Sequence, residues 1–375
     1  MGRRKQERWL PALCLAAALY GLALIFSATR YDPALHTAVG KQGVALGGGL
    51  LLCLLLQAVD LRRVLEQRWW LLPLVNAGLL LLLIPLGNDD GTGNKSWLAL
   101  PGGLFNLQPA EVVKLTFLLL LAFQISRLRE KGLDRPKAVF LLLLHVLALC
   151  GLLYGVSGDM GMVAVYLAIY LGMLWAAGLH PLWLLGQIAA GAALLVLLWP
   201  RLPDYVRLRF QVVLDHDLDP LGKGFQQERS LLALGSGQGL GQGYLQGTQT
   251  QSASPSALPA RHTDFIFSVA GEELGLAGCL TILALLGAIV LRCLWLAHRS
   301  SDPLFIAVAA GVATMFGAQT LLNVGMCLYV APVVGVTLPF FSYGGSSLLS
   351  SFGAVGLVLS LMQEPLGGSG SAPGV

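Results

Sequence analysis

The sequence predicts an all-α polytopic membrane protein of about ten transmembrane helices, with both termini cytoplasmic and one long extracellular loop between spans seven and eight. Three observations carry that expectation. The chain is 55% hydrophobic and only 12% charged, against roughly 25% charged for a soluble domain. Its apolar runs reach the ~20 residues that cross a bilayer. Lys and Arg fall on alternate connections, the bias that orients spans.

The runs lie near 9–28, 42–58, 69–87, 108–126, 137–155, 160–178, 181–199, 264–291, 304–329 and 338–362. With the N-terminus inside, the inner segments hold most of the basic residues, among them Arg4, Arg62, Arg68, Arg127, Lys131 and Arg299. The short outer loops hold only Arg30, Lys41 and Lys95. The outer segment 200–263 also carries cations, but long loops translocate regardless of charge. Its 221–247 stretch is rich in Gly, Gln and Ser, and 367–375 reads as a flexible tail. Residues 1–375 are taken as a single integral membrane domain, with no repeat marking the inverted halves of a transporter.

Composition and spacing argue against several function classes. The six cysteines are scattered through apolar runs without paired spacing and read as small core residues. The net charge of +4 is small and dispersed, and no basic-aromatic module is present, so nucleic acid is not an expected partner. Met1–Arg8 is basic, yet the run after it leads into further spans with no small-residue cleavage site; a removed signal peptide is not expected. Asp215-His216-Asp217-Leu218-Asp219 begins like a calcium loop, but Pro220 stands where Gly is required and Gln226 where Glu is required. The glycines from Gly235 to Gly247 resemble a nucleotide loop, yet follow no buried strand and sit on the outer face.

Polar residues converge on that outer face. Span four enters at Gln108-Pro109-Ala110-Glu111, followed by Lys114 on the same helix face. Span six enters at Gly158-Asp159 and span eight at Asp264, with Glu272 and Glu273 about two turns further in. Span nine ends near Asn323, and span ten begins with Pro339 through Ser347. Acids in or beside a membrane span are costly and point to function by default. Together these residues predict an outward-facing polar cavity in the outer leaflet.

Structural alternatives stand beside each member. Glu111 and Lys114 fit a structural ion pair, Asp159 and Asp264 fit helix caps, and His262 fits a loop hydrogen-bonder. One of Glu272 and Glu273 faces the cavity while the other pairs locally or is protonated. Ser342, Tyr343 and the following glycines fit either close helix packing or a re-entrant turn lining the cavity. Cations at Lys114, Arg209 and Arg207 suit phosphate, and a carboxylate at the membrane edge suits general-base work. That combination fits an enzyme acting on a lipid-linked phosphate and an ion-coupled transporter about equally.

Particular motifs break the tie. His262-Thr263-Asp264-Phe265-Ile266-Phe267, Gly271-Glu272-Glu273-Leu274-Gly275 and Gly335 through Ser347, preceded by Asn323-Val324-Gly325-Met326, resemble the signatures of the SEDS family (shape, elongation, division and sporulation proteins). Gln108-Pro109-x-Glu111-x-x-Lys114 and Tyr205-x-x-x-Arg209 extend the resemblance over the whole chain, in the same order and with the same long loop. Length and compact tails look closer to the RodA, elongation-type branch than to FtsW. Ala110, Lys95-Ser96-Trp97-Leu98 and Gly158-Asp159-Met160-Gly161 depart from the family's usual neighbours while keeping the charged residues.

The resemblance implies a peptidoglycan glycosyltransferase in the bacterial cytoplasmic membrane. It would polymerise lipid II onto an undecaprenyl-pyrophosphate-linked strand, with Asp264 the essential acid. Glu111, Lys114, Asp159, Arg209, His262, Glu273, Ser342 and Tyr343 are its expected substrate-binding residues. It implies a class B penicillin-binding protein as transpeptidase partner. No cofactor is fixed by it; a divalent cation, magnesium or manganese, is the candidate to share the leaving-group charge, and its ligands are unknown. The competing reading is a lipid II flippase, which would need a hydrophilic path continued to the inner face, where the spans look nearly pure Leu, Ala and Val.

Overall fold

The computed structural model describes residues 7–88, 95–99, 106–219, 221–222, 224–254 and 256–362, so the expected tail at 367–375 lies outside the described residues. Eight helices in it are long and apolar enough to cross a membrane, and one bent pair passes the same test. With the shorter apolar helix Met160–Ala176, these account for all ten expected spans.

The helices begin and end where their sequences dictate. α1 (Trp9–Thr29) and α2 (Ala38–Gln57) form the first hairpin. α3 (Leu61–Arg68) is capped by Asp60, whose side chain accepts from the Arg63 amide at 3.1 Å. After α3 the chain turns by 88° into α4 (Leu71–Leu81) and α5 (Leu83–Leu86), so the third span is preceded by a short helix set across it. β1 (Gly87–Asn88), β2 (Trp97–Ala99) and β3 (Asn106–Leu107) make a small antiparallel sheet at the outer face. Proline opens α6 (Pro109–Lys131), α7 (Pro136–Ser157) and α9 (Pro181–Leu198), at a position where its missing N–H costs nothing. Gly158, left-handed at φ 69°, ends α7, and Asp159 caps α8 (Met160–Ala176) by accepting from the Met162 amide at 2.9 Å.

The long outer loop contains two helices, α10 (Asp204–Leu214) and α11 (Phe225–Gly237), the second occupying half of the stretch that reads as Gly-, Gln- and Ser-rich. α12 (Ile266–His298), α13 (Pro303–Cys327) and α14 (Gly345–Met362) complete the chain. α14 starts seven residues later than its apolar pattern predicts; 338–344 instead forms a tight turn in which Phe340 takes a positive φ of 67°. The core lies where α6, α13 and α14 meet, with Phe117, Phe316 and Phe352 almost wholly buried. α9 is the outlier, burying only Leu184.

One span departs from a simple rod. α12 breaks at Gly275, whose φ of 66° and ψ of −159° lie outside the helical region. The break frees backbone groups in a setting without water to receive them. The glycine-rich segment after α11 fills it. Gln242 and Gly243 donate their amides to the Glu272 and Glu273 carbonyls, each at 2.9 Å. In return Leu276 donates to the Gln238 carbonyl at 2.9 Å and Ala277 to that of Gly239 at 3.3 Å. A Cβ on Gly275 would stand 2.3 Å from the Gly241 nitrogen, and one on Gly241 would stand 2.2 Å from the Glu273 carbonyl oxygen. Those glycines therefore serve close backbone contact, not nucleotide binding.

Gly275→Ala combines that clash with a strained φ, and should cost about 1–3 kcal/mol. Gly287→Ala on the same helix, where an added Cβ meets nothing within 4 Å, should leave stability unchanged or slightly improved. The midpoint of thermal unfolding in detergent checks both; equal behaviour of the two variants contradicts the account.

Candidate active site

Asp264 lies in the turn that leads into α12, half-buried, and its surroundings fix that turn from three sides. The Ala260 carbonyl closes it, accepting from the Thr263 and Phe265 amides at 3.1 and 3.2 Å. Ser342 donates its hydroxyl to the Thr263 carbonyl at 2.7 Å, and the Tyr343 amide donates to the His262 carbonyl at 2.8 Å. Asn323, wholly buried on α13, donates its amide nitrogen to both the Asp264 and the Val336 carbonyls at 2.8 Å. Arg261 anchors the preceding loop through the Ser252 carbonyl at 2.8 Å. Facing the acid is Gly335, at φ 66°, where a Cβ would come within 3.9 Å of the Asp264 carboxylate.

The other polar cluster sits at the outer ends of α6 and α8. Lys114 and Glu111 pair at 2.7 Å, with side chains 1% and 3% exposed. Gln108 donates its side-chain nitrogen to Asp159 at 3.1 Å, and its backbone amide to the Ser346 hydroxyl, also at 3.1 Å. Ser350 reaches the Glu111 carbonyl at 3.0 Å, so the serines of α14 satisfy the first turn of α6. The extended segment 334–337 joins the two clusters. At one end Gly161 packs so closely that a Cβ would meet the Val334 carbonyl at 2.3 Å; further along the same segment Gly335 meets Asp264.

The expected site residues separate into groups. Asp264, His262, Ser342 and Tyr343 share one turn-to-turn contact, with the His262 and Tyr343 rings 5.6 Å apart. Glu111, Lys114 and Asp159 share the second cluster. Arg209 is half-buried on α10 and forms no ion pair with a described residue. Glu273 has a structural environment: it is fully buried and accepts from Ser27 of α1 at 2.6 Å and from Gln251 at 2.6 Å. Glu272 likewise accepts the Gln249 and Thr250 amides at 2.7 and 2.8 Å and the Thr250 hydroxyl at 2.6 Å. Both carboxylates tie the outer loop to the membrane domain. Gln108, Asn323, Gly335 and Ser346 belong to the site and stand outside the expected binding set; the sequence marks them at outer span ends and in motifs, but their partners appear only in the fold.

Among the described residues no three His, Cys, Asp or Glu side chains gather to hold a metal ion. A protein-caged centre therefore does not fit this site, and no step is derived through one. Midway along the membrane there are polar pairs that composition hides, notably His145 with Gln124 at 2.7 Å and Tyr170 with Gln187 at 2.8 Å.

Two expectations follow. Glu111→Gln leaves the Lys114 ammonium buried without its counter-charge, which should cost about 3–5 kcal/mol; adding Lys114→Gln should restore much of that. Thermal unfolding of the single and double variants decides it, and an unaffected single variant would refute the pairing. For His262, burial first and the neighbouring Arg261 second hold the imidazole below its usual range. The unfolded chain then binds a proton that the folded chain resists, so this residue's contribution is present above about pH 6.5 and lost as pH falls. His262→Gln should flatten the acid limb of a stability–pH curve, a change that urea titrations at stepped pH would reveal.

A family model described as "Cell cycle protein", covering FtsW, RodA and SpoVE, matches residues 8–365. The chain is 34% identical over 374 residues to a probable peptidoglycan glycosyltransferase FtsW of Geobacter metallireducens, covering 96% of each chain. It is 33% identical to the peptidoglycan glycosyltransferase MrdB of Escherichia coli K12, over 93% of this chain and 91% of that one. Among solved structures it resembles a chain described under structural coordination of polymerization and crosslinking by a peptidoglycan synthase complex, with a TM-score of 0.77, 34% identity and coverage of 94% and 97%. The rod shape determining protein RodA of Thermus thermophilus superposes with a TM-score of 0.69 at 30% identity, over 96% and 97% of the two chains. With matched sequence, matched architecture and the acid-bearing turn in place, this chain belongs to the FtsW/RodA/SpoVE family of multi-pass bacterial membrane proteins, the peptidoglycan glycosyltransferase family.

Proposed function

We propose that this chain polymerises lipid II at the outer leaflet, transferring the growing strand with inversion. The observation that carries the reading is the Asp264 turn, anchored at the outer end of α12 by Asn323, Ser342 and Tyr343, one extended segment away from a buried lysine. Asp264 takes the proton from the 4-hydroxyl of the acceptor GlcNAc as that oxygen bonds to the anomeric MurNAc carbon of the strand. The bond from that carbon to the phosphate oxygen breaks, and undecaprenyl pyrophosphate leaves with the electron pair. Cationic stabilisation of the leaving group falls to Lys114 and to Arg209 on the outer loop. Glu111 aims Lys114 through their ion pair. A divalent cation, magnesium or manganese, would rest chiefly on the pyrophosphate oxygens, as such ions do with phosphate substrates.

The partner reading is a class B penicillin-binding protein, supported by the resemblance to a chain of a peptidoglycan synthase complex. Relatives named FtsW and MrdB match at similar identity, 34% and 33%; the elongation role is the one proposed, with the division role its alternative. Complementation of cells depleted of MrdB or of FtsW assigns the branch. A second reading, a flippase, would use polar groups below the outer cavity such as the half-buried His145–Gln124 pair.

Asp264→Asn preserves shape and removes the base. It should fold normally and lower lipid II polymerisation by about 10²–10⁴-fold, the usual weight of general-base assistance. Purified wild type and variant, each with a penicillin-binding protein lacking its own glycosyltransferase, are compared by glycan ladders on gels. Near-equal ladders would sink the assignment. Absence of ladders from wild type, with labelled lipid II crossing vesicle bilayers instead, would favour the flippase.

A further inference from the structure

At the opposite, cytoplasmic face a cluster of cations and aromatic rings has no role in the outer site. α3 buries Leu61 and Leu65 against the protein and leaves Arg63, Val64, Glu66, Gln67 and Arg68 exposed, two cations to one acid. The 88° turn into the third span sets α3 across that span, the placement of an interfacial helix. Trp69 and Trp70 follow it, 44% and 52% exposed, at the depth where indoles settle between headgroup and chain. Trp69 lies 6.3 Å from the Phe123 ring of α6, and the Arg127 guanidinium stands over the same ring at 4.9 Å.

The charges nearby differ in what they do. Arg62 is committed to Asp302 at the start of α13, and Arg292 to Glu7. Arg68 and Arg127, both exposed, form no ion pair with a described residue. Thus Arg68, next to Trp69 in the chain, and Arg127, over the Phe123 ring, flank one aromatic contact. The ring contact orders one of them, and the apolar flank of Trp70, Leu74 and Val75 stays exposed beside them. A phosphodiester with attached acyl chains matches both halves of this surface: guanidinium for the phosphate, indole and aliphatic side chains for the glycerol and chain ends.

We propose that Arg68, Trp69, Phe123 and Arg127 form a binding site for the headgroup of one anionic phospholipid of the inner leaflet. This site is independent of the reading given to Asp264. Each basic residue near an anionic lipid surface contributes ~1 kcal/mol. Removing both cations should therefore weaken retention of an anionic lipid roughly 30-fold while leaving that of a zwitterionic one unchanged.

The full chain is purified in detergent and titrated with phosphatidylglycerol or phosphatidylcholine, and bound lipid is counted by native mass spectrometry. Wild type should hold phosphatidylglycerol in clear preference to phosphatidylcholine, and Arg68→Gln/Arg127→Gln should lose that preference. Arg129→Gln/Lys131→Gln removes the same charge from the adjoining turn of α6 and should keep it. The unfolding midpoint in phosphatidylcholine alone, expected to be equal for all three proteins, shows that the variants are folded. Equal retention of the two lipids by wild type overturns the proposal, because no selective site then exists. Equal loss in both double variants overturns it too, because the attraction is then a diffuse charge effect.

Discussion

The structure depends on how a broken helix is made tolerable inside a membrane. A backbone group without a partner in hydrocarbon costs several kcal/mol, and the break at Gly275 exposes such groups on both sides. The segment 238–243 supplies donors to the Glu272 and Glu273 carbonyls and acceptors to the Leu276 and Ala277 amides. The loop is thereby a structural part of the eighth span. With the break closed, the short helical piece from Ile266 to the break is held at a fixed position, and the Asp264 turn at its mouth inherits that position.

The acids along this span illustrate how environment separates structure from chemistry. Glu272 receives two backbone amides and the Thr248 and Thr250 hydroxyls, and Glu273 receives Ser27 and Gln251. Carboxylates so fully hydrogen-bonded are staples, committed to their donors. Asp264 is fixed differently. Its position is set through main-chain atoms, its own carbonyl on Asn323 and those of Thr263 and His262 on the 342–343 turn. So anchored, the Asp264 carboxylate faces Gly335, where an added Cβ would stand 3.9 Å from it.

Much of this was legible in the sequence, and the limits have physical causes. Span number and orientation follow from apolar length and from Lys and Arg placement, both local properties; all ten expected segments are helical. Asp264, Glu111, Lys114 and Asp159 were identifiable as acids and bases at outer span ends. The break in α12 was not, because a glycine in an apolar run looks the same whether or not a distant loop fills the gap. Glu273 was expected to bind substrate from the family resemblance, yet its partner Ser27 lies 246 residues away. Asn323 was visible as a polar residue at a span end, but its double donation exists only once 264 and 336 are adjacent. The late start of α14 has the same origin: 338–344 is apolar enough for a helix, and the hydrogen bonds of Ser342 to Leu338 and Thr263 hold it as a turn.

The polar pairs of the mid-membrane bear on what can pass through it. His145 and Gln124 bond to one another and Thr116 bonds to Asn76, while nearer the outer face the Tyr166 hydroxyl donates to the Ala110 carbonyl at 2.7 Å. Residual unmatched atoms remain on Asn76, Gln187 and Gln319. A headgroup moving inward would have to open such pairs, each a partly or wholly buried hydrogen bond whose loss leaves polar atoms stranded at up to ~1–3 kcal/mol apiece. The outer turn is set by main-chain contacts and the interior is sealed by mutual ones, an arrangement that favours chemistry at the surface over passage through the core.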